Sequence, residues 1–164
     1  MMYLVRHGED DAAGGLTQNG RHASSILAGW LPKGTNIYSS PAQRARETAA
    51  ILASGRHYAV EGNLGEPEMG SVAPRLRRGP AVLGSWPCYV ETVSDTIIRL
   101  VNRDADAVLV THSSFLDAFF ESATGSMAWE FNVPPASVSI FEFRGLGHPE
   151  GPWIVYAIGF TPHG

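Results

Sequence analysis

Short apolar runs alternate with amphipathic, helix-periodic stretches along most of this chain, and that alternation limits the fold more than any other feature of the sequence. Tyr3, Leu4 and Val5 read as a short buried strand. In "LTQNGRHASSILAGWL", Ala23, Ile26, Leu27, Trp30 and Leu31 recur at helical spacing, with Thr17 as N-cap and an end near Pro32. "TNIYSS" (35–40) reads as a second strand. "SPAQRARETAAILAS" then opens with Ser40, Pro41 and Gln43, the pattern of a capping box with proline at the first helical position. Ala45, Thr48, Ala49 and Leu52 form the buried stripe of that helix, and "HYAV" (57–60) follows as a third strand.

Between Gly62 and Pro87 the periodicity is lost among glycines and prolines, and Arg75, Arg77 and Arg78 cluster, so a lid-like loop is expected at about 62–88. Trp86 and Tyr89 read as anchors of that loop. Order resumes in "YVETVSDTIIRLVNRD", a helix facing inward through Val93, Ile97, Leu100 and Val101, with Glu91 and Arg99 structural. A buried strand at 107–111 leads into a helix with Ser114 as N-cap and Asp117 as its partner. "ASVSIFEF" (136–143) and "PWIVYAIGF" (152–160) read as a closing hairpin. The expected fold is a three-layer α/β/α sandwich whose sheet is mostly parallel with an antiparallel edge. At 164 residues and 44% hydrophobic, one domain spanning 1–164 fills a core and two ordinary domains would not.

A net charge of -4 supplies no general attraction for nucleic acid or an anionic membrane. The single cysteine, Cys88, excludes an intrachain disulfide framework and a CxxC metal site. No apolar stretch nears the ~20 residues of a membrane span. The N-terminal apolar run is short and is followed by Arg6, unlike a signal peptide, so the cytoplasm is the expected location.

Chemistry is concentrated at the strand-to-helix junctions. Arg6 and His7 follow the first strand, Ser39 to Arg44 the second, and His112 with Ser113 the strand at 107–111. In a parallel sheet these junctions share one edge, so two histidines and two arginines converge. Arginine grips phosphoryl oxygens bidentately and helix N-termini present free N–H groups, so such a cluster suits phosphate without a metal or a cofactor. His22, His57, His148 and His163 have no comparable partners. Thr17, Ser40 and Gln43 are accounted for as caps, although the backbone near Ser39 and Ser40 could touch a ligand.

The segments "LVRHGE", "LTQNG", "SSPAQRARETA", "LGEPEMG" and "VTHSS", in this order, resemble the histidine phosphatase superfamily, also called phosphoglycerate mutase-like, from residue 3 to about 120. The resemblance implies that His7 is the nucleophile that becomes phosphorylated and that Arg6, Arg44 and a protonated His112 hold the phosphoryl group. Ser113, where many relatives have glycine, adds a hydroxyl beside it. A glutamate serves the family as acid and base. The spacing of Leu64, Glu66 and Gly70 resembles the family's LxExxxG segment and makes Glu66 the candidate, with Glu68 its rival.

The resemblance therefore implies a phosphomonoester hydrolase acting on a small phosphorylated metabolite through a phosphohistidine on His7, without a metal or a cofactor. Family mutases are appreciably longer and shield the phosphoenzyme from water, which disfavours mutase activity here. Only Glu9 to Gly15 separate the RHG segment from "LT". That shortness also resembles the small bacterial phosphohistidine protein phosphatases, which accept a phosphoprotein and can manage without the glutamate. A non-catalytic relative that binds phosphorylated ligands is a reading from another class. Sequence leaves substrate identity and oligomeric state open.

Overall fold

In the computed structural model, residues 1–67, 86–125 and 132–162 are described. Glu68, the basic cluster at Arg75, Arg77 and Arg78, most of the expected lid, and His163 lie outside them. The elements follow in the order β1 (Met2–Arg6), α1 (Gln18–Trp30), β2 (Asn36–Ser39), α2 (Gln43–Ala53), β3 (Ala59–Val60), a 3-10 turn (Gly62–Leu64), α3 (Trp86–Arg103), β4 (Ala107–Thr111), α4 (Ser113–Thr124), β5 (Val138–Phe143) and β6 (Trp153–Phe160).

The six strands form one sheet in the order β3-β2-β4-β1-β5-β6. The β3-β2-β4-β1 pairs are parallel, whereas β5 runs antiparallel to β1 and β6 to β5. β4 is buried along its whole length, which explains its unbroken apolar run. Alternate residues feed two cores. Leu4 and Leu109 pack with Ile97 of α3 and Phe119 of α4, while Val5 and Val110 pack with Leu27 of α1 and Ala49 of α2. The expected sandwich is thus present, with α1 and α2 on one face and α3 and α4 on the other.

Several local expectations are corrected. The buried stripe of α1 runs through Gly20, Ser24 and Leu27 on to Leu31, and Trp30 falls outside it, 62% exposed, with its ring edge-on to Phe160. No capping box forms at α2. Ala42 is extended and takes the N-cap position without a side-chain bond, because the Ser40 hydroxyl is already engaged elsewhere and Gln43 reaches forward to Glu47. At α4 a single residue, His112, separates strand from helix and fills the cap position, so Ser114 lies inside the helix. β3 shrinks to two residues, leaving His57 exposed. α3 starts earlier than the periodicity suggests, with Pro87 in its first turn, where a missing N–H costs nothing.

Thr17 does cap α1, accepting from Gly20 N–H at 3.0 Å. Two glycines then let the helix close on the chain after β1. A Cβ on Gly20 would lie 2.2 Å from the Glu9 carbonyl oxygen, and one on Gly8 2.8 Å from the Gly20 carbonyl oxygen. Both approaches involve backbone, which cannot swing away. Gly20→Ala is therefore expected to destabilise the protein by about 3 kcal/mol, read as a lower urea midpoint, despite alanine's better helix propensity.

Candidate active site

The parallel ladder continues past the strand ends and carries the junctions with it. His7 N–H bonds the Thr111 carbonyl at 3.0 Å and Ser40 N–H bonds the Val110 carbonyl at 2.9 Å. Arg6 pairs with Thr111 in register. The sequences after β1, β2 and β4 thus meet at one sheet edge. On the far side of β1, Ala136 N–H bonds the His7 carbonyl and Arg6 N–H bonds the Ser137 carbonyl.

His7 is 6% exposed and His112 is 1% exposed, with ring centroids 5.1 Å apart. Between them lies Arg44. Its Nε donates to His7 Nε2 at 3.1 Å, and its Nη2 lies 3.3 Å from His112 Nδ1 and 2.5 Å from Glu66 Oε2. The Arg44 guanidinium therefore touches three of the other four expected catalytic residues. Arg6 completes the group from β1. Its Nη1 is held by the Val133 carbonyl, and its Nε is buried without a hydrogen-bond partner among the described residues.

The position of Glu66 is fixed from both sides. Thr111 Oγ1 donates to the Leu64 carbonyl and Tyr89 OH to the Gly65 carbonyl, each at 2.7 Å, so the chain enters Glu66 tied to β4 and α3. Tyr89 is thus an anchor, as expected. Ser113 is half-buried at the first position of α4, and among the described residues its side chain makes no hydrogen bond to the cluster.

His7 Nδ1 is 2.8 Å from the Gly8 carbonyl. A carbonyl can only accept, so Nδ1 carries the proton and Nε2 keeps its lone pair. Burial, with smaller contributions from Arg44 and Arg6, lowers the His7 pKa to about 4, against the opposing Gly8 carbonyl and Asp10 carboxylate. His7 is neutral at physiological pH. Burial, followed by His7, Arg44 and Arg6, lowers His112 to about 3. His112 is therefore neutral in this arrangement, and the protonated form expected from the sequence requires an anion to offset these cations. Both histidines bind fewer protons folded than unfolded between about pH 4 and their ordinary value near 6.5. Stability is therefore complete above that window and falls as pH drops through it. Urea midpoints should decline from about pH 6.5 to 4, and NMR titration should half-protonate His7 near pH 4.

Two contributors were not anticipated. Asp10 lies 3.7 Å from Arg44 Nε and 4.0 Å from His7 Nδ1. Ser40 Oγ lies 2.8 Å from His112 Nε2. Asp10 carries no periodic or motif signal, whereas Ser40 sits at a strand-to-helix junction like the arginines and histidines and was read as a cap. The arrangement combines an imidazole lone pair, two guanidinium groups and a carboxylate around one spot. It can take up a phosphoryl anion, attack it and exchange a proton with its leaving group. Among the described residues no group of three or more His, Cys, Asp or Glu could hold a metal ion, and no helix is long and apolar enough to cross a membrane.

Comparison with known proteins gives the same direction. The model of the histidine phosphatase superfamily (branch 1) matches residues 2–78. No curated protein matches the chain. Among solved structures, the phosphoserine phosphatase of Entamoeba histolytica, determined as a mutant with phosphoserine, is 18% identical with a TM-score of 0.75, over 96% of this chain and 95% of that one. A mycobacterial glucosyl-3-phosphoglycerate phosphatase is 18% identical with a TM-score of 0.76, over 98% and 99%. A Thermus thermophilus protein reaches 28% identity with a TM-score of 0.64, over 84% and 91%.

Proposed function

From the match of residues 2–78 to the histidine phosphatase superfamily model, we propose that the chain belongs to that superfamily and is a phosphomonoester hydrolase that passes a phosphoryl group to His7 and then to water. The observation that carries the reading is the lone pair on His7 Nε2, exposed by the Gly8 carbonyl and set against Arg44. A small phosphorylated metabolite is the substrate class. Phosphatases of such compounds have the same fold, phosphoserine and glucosyl-3-phosphoglycerate being those of the two solved relatives. The whole chain acts as one domain, and Arg6 and Arg44 supply the positive charge, so turnover persists in EDTA.

In the first step Nε2 attacks phosphorus, the N–P bond forms and the bond from phosphorus to the leaving oxygen breaks. Glu66 gives its proton to that oxygen. In the second step water attacks phosphorus, Glu66 takes a proton from it, and the N–P bond breaks to release phosphate and neutral His7. The ion pair between Arg44 and Glu66 has to open before this cycle begins. A bound phosphoryl dianion competes for Arg44 and frees Glu66 to face the leaving oxygen. The loose transition state spreads charge over equatorial oxygens, which Arg6 and Arg44 stabilise.

Glu66→Gln tests the proton transfer. It should slow alkyl phosphates about 10³-fold, a typical general-acid contribution, and p-nitrophenyl phosphate much less in the phosphorylation step, because p-nitrophenolate leaves without a proton. Equal loss for both donors would remove Glu66 from that role. The short, exposed loop from Glu9 to Ala13 favours a second reading, a phosphorylated protein domain as substrate. That reading holds if only a phosphohistidine protein is dephosphorylated and Glu66→Gln changes nothing.

A further inference from the structure

We propose that Ser40 is a positioning residue whose hydroxyl oxygen accepts a hydrogen bond from His112 Nε2 and thereby holds Nδ1 of His112 toward the phosphoryl site in both protonation states. The inference rests on the phosphatase reading for its purpose, and on side-chain geometry for its content. Ser40 is fully buried, and its Oγ lies 2.8 Å from His112 Nε2. The same oxygen accepts from Ala42 N–H at 3.2 Å. A hydroxyl oxygen has two lone pairs, and both are then in use as acceptors.

The opposite nitrogen fixes the sign of the Ser40 bond. Arg44 Nη2, which can only donate, points at His112 Nδ1 from 3.3 Å. A proton on Nδ1 in the empty site would set two donors against each other. Nδ1 therefore carries the lone pair and Nε2 the proton, which Ser40 receives. The other groups facing the ring are Arg6 at the end of β1, His7 just after it, and Glu66 after the 3-10 turn, its Oε2 3.9 Å from Nδ1. When a phosphoryl anion draws Arg44 away, Nδ1 takes a proton from solvent, keeps it, and hydrogen-bonds a phosphoryl oxygen through it. The bond from Nε2 to Ser40 survives this change because Nε2 carries a proton before and after it. The serine at the end of the β2 junction is thus part of the reason that His112 can switch charge while buried.

The test uses the whole protein with ¹⁵N-labelled imidazoles, His112→Asn to assign signals, and inorganic phosphate as the probe. The parent should carry the His112 proton on Nε2 when empty and on both nitrogens with phosphate. Ser40→Ala leaves Arg44 on Nδ1 but takes the acceptor from the Nε2 proton, so the Nε2 resonance should shift and phosphate should bind about tenfold more weakly at neutral pH, the deficit shrinking as pH falls. Ser40→Thr, which retains the acceptor, should restore both signals. An unchanged Nε2 resonance and unchanged phosphate titration in Ser40→Ala would overturn the proposal. A parent in which Nε2 lacks the proton when empty would also overturn it. Failure of the parent to hydrolyse any phosphomonoester would instead count against the phosphatase reading, and the tautomer of the empty enzyme would still decide the role of Ser40.

Discussion

His7→Ala is expected to lose turnover of every phosphomonoester by about four orders of magnitude or more, while the protein stays folded and still binds phosphate. The loss is large because no other described side chain offers an unprotonated nucleophile in the same place. His112 is the nearest imidazole, but its Nδ1 faces Arg44 and Glu66, and its Nε2 faces Ser40. Binding survives because Arg6 and Arg44 come from separate elements, β1 and α2, and each has a partner besides His7, the Val133 carbonyl for Arg6 and Glu66 for Arg44. Steady-state rates with p-nitrophenyl phosphate, together with phosphate titration by calorimetry, read the two quantities separately. Retained turnover in a homogeneous His7→Ala sample would mean that the phosphoryl group passes directly to water.

Arg44→Lys should cost about 10³-fold in kcat/KM although the charge is kept. Lysine offers a point charge on a flexible stem. Arg44 uses one atom on His7, another on both His112 and Glu66, and holds them in a plane that a single ammonium cannot reproduce. The loss should fall on kcat as well as KM, since the guanidinium meets the equatorial oxygens where charge develops. An Arg44→Lys variant with unchanged kcat and a raised KM alone would reduce Arg44 to ground-state binding.

The sheet and the meeting of the junction residues are legible because each rests on a strong, local signal. The apolar runs around Leu4 and Leu109 fix two central strands, and the rule that parallel strands deliver their C-terminal junctions to one edge brings Arg6, His7, Arg44 and His112 together without any distance being known. Helix starts were less legible. Ser40 and Ser114 both carry the composition of a cap, yet tertiary demands decided otherwise: one hydroxyl is claimed by a histidine 72 residues away, and the other lies inside a helix entered through a one-residue junction. Trp30 was misread because the inner stripe of α1 is built of Gly20 and Ser24, small residues demanded by close contact with Glu9 and Gly8, which periodicity of apolar residues cannot reveal. Asp10 was missed for a similar reason, since it reaches the site only through the path of an irregular loop.

The central claim is that phosphate passes through His7, and intact-protein mass after a rapid alkaline quench tests it most directly, because a phosphoramidate survives alkali and is lost in acid. Glu66→Gln mixed with p-nitrophenyl phosphate should accumulate one phosphoryl group, since phosphorylation needs no acid while hydrolysis lacks its base. Peptide mapping should find that group on His7, and His7→Ala should gain none. A protein that releases phosphate at a normal rate yet never gains mass, or gains it on a residue other than His7, would contradict the account.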